Sequence, residues 1–221
     1  MQGFLKKCGN ILKEAFKLGF GRDDPEFLRA LSLEESAWQI IAMPQKLGDG
    51  TLTLFHYENK MVRSGILAVK RRNNPKMADI FAGLAADFLL EELSEMEMMH
   101  DFKDPIIIGI PMSKKNLLNK GFNHAEEVAK KIAALLPPME FMRGALEKTR
   151  ATAPQKNLSR AKRLTNVSHS MMVSRKYLDK IKARCVIVLD DVSTTGATLS
   201  EARRALLAAN ARKVLCFALA H

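Results

Sequence analysis

Residues 186–199, VIVLDDVSTTGATL, decide how this chain is read. The run Cys185–Leu189 is apolar and mostly β-branched, without polar alternation, which is the pattern of a strand covered on both faces in a parallel sheet. It ends in two adjacent carboxylates, Asp190 and Asp191. Ser193, Thr194, Thr195, Gly196, Ala197 and Thr198 follow, and then a helix with Leu199, Ala202, Leu206 and Ala209 on its inward face. The backbone amides of Ser193–Thr198 are expected to point into one concavity at that helix N-terminus, where the dipole favours an anion. The hydroxyls of Ser193, Thr194, Thr195 and Thr198 add donors, and Gly196 lets the backbone approach a ligand closely. No G-x-x-x-x-G-K-[ST] occurs, so this is not a Walker loop. Two acids beside a phosphate would repel it unless something neutral or cationic lay between. A ribose diol, which donates to acceptor-only carboxylates, or a diol-bound Mg2+ meets that need. The pattern therefore predicts a ribose 5-phosphate, its phosphate in the turn and its hydroxyls on Asp190 and Asp191.

Outward from this segment, strands and helices alternate. Asn74-Pro75 starts a helix with a stripe of Met77, Ile80, Phe81, Leu84, Ala85 and Phe88. Ile106–Ile110 is a second buried-strand pattern. Asn123 with Glu126 three residues on resembles a capping box, and Ala125, Val128, Ala129, Ile132, Ala133 and Leu136 mark the helix behind it. Pro137-Pro138 stops that helix. Val214–Leu219 is a third apolar strand, and Asn210 suits a left-handed helix end. The order βα…βαβ predicts an α/β fold with a doubly wound, mainly parallel sheet. In such sheets ligands bind outside the carboxyl ends of the strands.

The 221 residues, 47% hydrophobic and 27% charged, give one substantial core and exclude a fibre or a disordered tail. No apolar run is long enough to cross a bilayer. Cys8, Cys185 and Cys216 form no C-x-x-C pair, so neither a zinc site nor a disulfide framework is expected. The formal charge is +11, and between Pro111 and Thr165 twelve Lys/Arg face four Glu, a net +8. Such a field attracts polyanions: nucleic acid, anionic lipid or a phosphorylated small molecule. Residues 3–18 carry Phe4, Leu5, Cys8, Ile11, Leu12, Ala15 and Phe16 on one helical face, with Lys6, Lys7, Lys13 and Lys17 beside them. A secretory signal is not expected there. The helix is read as packing on its own domain, with peripheral membrane association as the alternative.

Asp190-Asp191 followed by Thr194-Thr195-Gly196-Ala197-Thr198 resembles the phosphoribosyl-pyrophosphate (PRPP) signature of type I phosphoribosyltransferases. Tyr57-Glu58 through Leu67-Ala68-Val69-Lys70, Ile110-Pro111, Lys120-Gly121-Phe122-Asn123, Thr149, Gln155, Arg160 and Asn166 are similar to the competence-associated ComF branch of that family. The resemblance spans roughly residues 55–221. Two departures stand out: the four-cysteine zinc module usual in that branch is not matched, and Lys120 replaces the usual Arg, which loses bidentate phosphate binding.

The resemblance implies a division into residues 1–54, an N-terminal arm or small subdomain, and 55–221, a phosphoribosyltransferase-like domain. It implies that Pro111, Met112, Ser113 and Lys114 face the pyrophosphate, and that Lys148, Thr149, Arg150, Gln155 and Arg160 belong to a mobile hood. Lys70, Arg71 and Lys120 are further basic candidates, either reaching an anion or complementing a helix end. Mg2+ is expected on the substrate rather than on protein ligands. The implied activity is transfer of phosphoribosyl to a nitrogen nucleophile, a nucleobase or amine, in a cytoplasmic protein of nucleotide salvage or DNA uptake. The alternative is a non-catalytic component of DNA uptake that binds single-stranded DNA. The oligomeric state stays open, a homo-oligomer included. His124 and His56 lack partners at metal-ligand spacing and are read as ordinary side chains.

Overall fold

The computed structural model describes residues 42–72, 75–149 and 168–221. The amphipathic stretch 3–18, Asn74, Arg150, Gln155 and Arg160 lie outside the described residues, as does the Arg71 side chain. In chain order the described strands are β1 (Ala42–Lys46), β2 (Leu52–Phe55), β3 (Ile106–Gly109), β4 (Glu140–Phe141), β5 (Leu146–Lys148), β6 (Met171–Val173), β7 (Cys185–Val192) and β8 (Lys213–Ala220). The helices are α1 (Lys60–Arg72), α2 (Pro75–His100), α3 (Lys114–Lys120), α4 (His124–Leu135), α5 (Leu178–Ile181) and α6 (Ala197–Ala208).

Among the described residues, six strands form one sheet in the order β1-β2-β8-β7-β3-β4. Every pair in it is parallel except β1–β2. The protein is thus an α/β protein with a mostly parallel sheet, and that sheet takes in residues on both sides of the 54/55 division drawn from sequence. The apolar runs of β3, β7 and β8 are buried on both faces because alternate residues feed two separate cores. Ile107, Ile187, Leu189, Phe217 and Leu219 pack with α1, α2 and α4. Ile106, Ile108, Val186, Val188, Cys216 and Ala218 pack with α6 and the β5–β6 hairpin. Cys185 and Cys216 are free and buried within these layers.

The stripe read from Met77 to Phe88 is buried along α2, and Val128, Ala129 and Ile132 are buried on α4. The α4 cap differs from the expected box. Asn123 Oδ1 accepts from the Ala125 amide, but Glu126 accepts from the Gly144 amide instead of returning to Asn123. Gly109 ends β3 where α4 begins: a Cβ there would stand 2.6 Å from the Glu126 amide nitrogen. Only glycine lets that helix start so close to the strand. Asn123 reinforces the junction through Nδ2, which donates to the Ile110 carbonyl.

The chain leaves β3 through α3 and α4 toward β4 on one side, and leaves β7 through α6 toward β8 on the other. The winding therefore reverses between β3 and β7, which are hydrogen-bonded neighbours from Ile106/Val186 to Gly109/Leu189. Both connecting turns diverge at the carboxyl edge, and a crevice opens there.

Candidate functional site at the carboxyl edge of the sheet

A cleft of about 440 Å3 lies at this switch point. Ile110–Ser113 from the β3–α3 turn form one wall, and Asp190–Val192, Thr194 and Thr198 form another. Lys70 from α1, Lys120 from α3, His124 from α4 and Lys148 from β5 reach in from four different elements. Segments distant in sequence are thus gathered by the topology.

The turn between β7 and α6 departs in one respect from its sequence reading. The Ser193 amide is committed to the Ala220 carbonyl at 2.9 Å, and the Ser193 hydroxyl is buried without a hydrogen-bond partner. The expected row of open amides therefore starts one residue later. Among the described residues, no acceptor takes the amides of Thr194, Thr195, Gly196 or Ala197. Gly196 is the N-cap of α6, with φ 71° and no side-chain cap. Thr195, Gly196 and Ala197 line a small concavity beside the main cleft, together with Asp190, Ser193, Thr194 and Thr198. Donors left open at a helix start are an anion site in waiting.

The β3–α3 turn is built differently. Ser113 Oγ accepts from the Asn116 amide and so caps α3, while Gly121 closes that helix in the left-handed conformation. Pro111, Met112 and Ser113 line the cleft, whereas Lys114 does not. Positive charge on this side comes from Lys120, whose Nζ also donates to the Lys70 carbonyl. Lys148, expected in a mobile hood, sits on strand β5, which pairs with β6; Thr149 bonds back to Ser170.

The two acids have opposite environments because successive strand residues face opposite ways. Asp191 points to the α1/α4 side. Its Oδ2 accepts from Lys70 Nζ at 2.6 Å and from His124 Nε2 at 3.0 Å, and its Oδ1 accepts from the Val192 amide at 2.8 Å. Burial works to raise its pKa, but the His124 and Lys70 contacts outweigh this and hold it below the usual carboxylate range. Asp190 points to the side of α6 and the hairpin; its Oδ1 accepts the Asp191 amide, and its carboxyl also shares a hydrogen bond with the Asp191 carboxylate. Burial, reinforced by the charge of Asp191, pushes its carboxyl up to about 8. Burial likewise lowers the pKa of Lys148, against the opposing pull of Asp190. Lys70, by contrast, has its pKa raised: burial opposes its charge, and the Asp191 contact prevails.

His124 was not singled out by sequence reasoning, which weighed it only as a metal ligand. It is 8% exposed, and its Nδ1 has no hydrogen-bond partner. The available signal was its place directly after the Asn123 cap, at the start of a helix facing the acid-bearing strand. Lys70 was read as reaching an anion or a helix end; its partner is Asp191. Among the described residues, no group of three or more His, Cys, Asp or Glu is arranged to hold a metal.

No family model matches the chain. The chain is 26% identical over 132 residues to the DNA utilization protein YhgH of Escherichia coli O157:H7 and to the proteins of the same name in Shigella flexneri and E. coli strain K12. Each match covers 60% of this chain and 56% of the relative, so the chain spans little more than half the length of these curated relatives. Among the described residues, no helix is long and apolar enough to cross a membrane.

Proposed function

We propose that this chain is a phosphoribosyltransferase-like protein of the type I kind, which binds PRPP with Mg2+ and transfers phosphoribosyl to a nitrogen nucleophile. One observation carries the reading: open amides at Thr194–Ala197 stand beside a carboxylate pair at the switch point of a parallel sheet. An anion site and a diol acceptor are then neighbours in one cleft. The reading assigns the 5-phosphate to the Thr194–Thr198 turn, the ribose hydroxyls to the acid pair, and the pyrophosphate to the Pro111–Ser113 wall with Lys120 and Lys148. Mg2+ is treated as part of the substrate, held by its phosphate oxygens, because the Asp191 carboxylate is already committed to Lys70 and His124.

In the proposed reaction the bond from the anomeric carbon to pyrophosphate breaks, an oxocarbenium-like centre develops, and the acceptor nitrogen bonds to that carbon and gives up a proton. The cleft contributes by gripping both anions and by supplying cations where the leaving group gathers charge. Burial and the charge of Asp191 raise the pKa of Asp190, which lessens its repulsion toward the incoming phosphate. Calorimetric titration with Mg-PRPP tests this. The wild-type protein is expected to bind with one-site saturation, and the double variant Asp190→Asn, Asp191→Asn to lose that binding. Undiminished affinity in the folded double variant removes the ribose assignment.

A second reading rests on the name of the relatives, DNA utilization protein, together with the net +8 of residues 111–165. Under it, the basic surface binds single-stranded DNA and catalysis is absent or secondary. Affinity for an oligonucleotide that falls steeply with salt supports this reading, and competition by PRPP tells whether one surface serves both.

A further inference from the structure

The lone-pair count at the acid pair makes the cleft selective in a way that the proposed function does not require. A carboxylate offers about four acceptor sites. Asp191 has all four engaged, by Val192, Lys70 and His124 and by the hydrogen bond it shares with the Asp190 carboxyl. Asp190 is not a free carboxylate: it accepts from the Asp191 amide, hydrogen-bonds the Asp191 side chain and is held toward its protonated form by burial. A ribose diol brings two O–H donors. In this state of the cleft, Asp191 has no acceptor site left to offer, and Oδ2 is taken by Lys70 and His124.

Of those two partners, Lys70 is the movable one. Its side chain is 40% exposed on a flexible stem, against 10% for His124, which is fixed at the start of α4. Lys70 also lines the same cleft as the Pro111–Ser113 wall. A pyrophosphate at that wall carries more charge than one carboxylate and competes for the ammonium.

We infer that Lys70 is a specificity-determining residue: it ties up Asp191 until a pyrophosphate draws it away, so that the cleft accepts a ribose fully only when a pyrophosphate is present. The inference rests on the PRPP reading above and deepens it. It means that PRPP is distinguished from ribose 5-phosphate by more than the added contacts of its pyrophosphate. The exchange is an ion-pair swap. Lys70 Nζ leaves Asp191 Oδ2 for a phosphate oxygen, and the vacated Oδ2 accepts a ribose O–H. His124 keeps Asp191 in place meanwhile.

The test is calorimetric titration of ribose 5-phosphate into the full chain, alone and with saturating Mg-pyrophosphate. The expected result is about tenfold tighter binding with pyrophosphate present, within the usual range of coupling between two sites. Simple repulsion between two anions predicts the reverse, so the sign decides. In Lys70→Gln the ratio is expected to fall to about one, because no ammonium holds Asp191. Equal or weaker binding with pyrophosphate in the wild type overturns the inference, as does a tenfold ratio retained in the folded variant. The wild-type ratio needs no variant, so the test stands even where Lys70→Gln does not fold. Absence of any binding of Mg-PRPP, ribose 5-phosphate and pyrophosphate would instead remove the PRPP reading itself.

Discussion

The two faces of the sheet meet the same cleft on different terms. On the α1/α4 face the charges are settled internally: Lys70, Asp191 and His124 satisfy one another, and α4 is pressed directly onto β3. On the α6 face the turn is left open: Thr194–Ala197 offer amides with no acceptor among the described residues, and the hydrogen bonds of Asp190 run only to its neighbour Asp191. Adjacent residues of one strand thus belong to two different environments, because pleating sends Asp190 one way and Asp191 the other. The two carboxyls still share a hydrogen bond, so they form one site with two unequal halves. Asp191 is tied to Lys70 and His124, and Asp190 is held toward its neutral form by burial and by the charge of Asp191.

The glycines that end β3 and open α6 test how firmly each face is built, and they should respond unequally. Gly109→Ala on the closed face would set a Cβ 2.6–2.8 Å from backbone atoms of Ala125 and Glu126, which no rotamer change relieves. We expect a loss of about 3 kcal/mol in chemical denaturation, at the upper end of ordinary overpacking, together with displacement of His124 from Asp191. A change below about 1 kcal/mol would show that α4 slides freely and that the closed face is not rigid. Gly196→Ala on the open face is less costly to the fold. Its Cβ would meet Asp49 Oδ2 at 2.4 Å, but that is the end of an exposed side chain and can move aside. The remaining cost is the left-handed backbone at φ 71°, about 1–2 kcal/mol. Sulfate affinity should fall with it, as the turn relaxes and its amides lose their common aim. Unchanged sulfate affinity in the folded variant would take the anion site away from this turn.

Local chemistry made the open face legible in the sequence, and distance hid the closed one. The strand Cys185–Val192, the uncapped turn and α6 are contiguous, so an apolar run, two acids and a Thr-Thr-Gly string were enough to outline them. The Lys70–Asp191 contact spans 121 positions, and nothing in either neighbourhood announces the partner. His124 looked ordinary because it had no second ligand at metal spacing; the fold gives it a carboxylate instead. The β5–β6 hairpin was missed for a related reason. Three-residue strands are too short to show a period, so Lys148 read as part of a charged loop although its backbone is paired. The Glu126 side chain shows the limit of motif matching, since the spacing of a capping box was present but Gly144 took the carboxylate.

The smallest expected effect separates Asp190 from the rest of the cleft by pH. Its folded pKa of about 8 lies above the value near 4 of an unfolded chain, so between those limits the native state holds a proton that the unfolded state has released. Its contribution to stability is therefore greatest in acid and declines as pH rises from about 4 to 8. Asp191 runs the other way: held below the usual range, it contributes stability at neutral pH that is lost only on acidification. For an anion in the Thr194–Thr198 turn, the relevant change is the appearance of negative charge on Asp190 above pH 8. Sulfate is the suitable probe, since its own charge is constant there. Its affinity should fall roughly threefold between pH 7 and 9, as expected for one partly screened charge nearby. Burial also lowers the pKa of Lys148, and a loss of that charge would weaken sulfate binding too. Asp190→Asn separates the two contributions. The decline should flatten in that variant, and a slope as steep as in the wild type would assign the titration to Lys148 and leave the two acids without the asymmetry that pleating gives them.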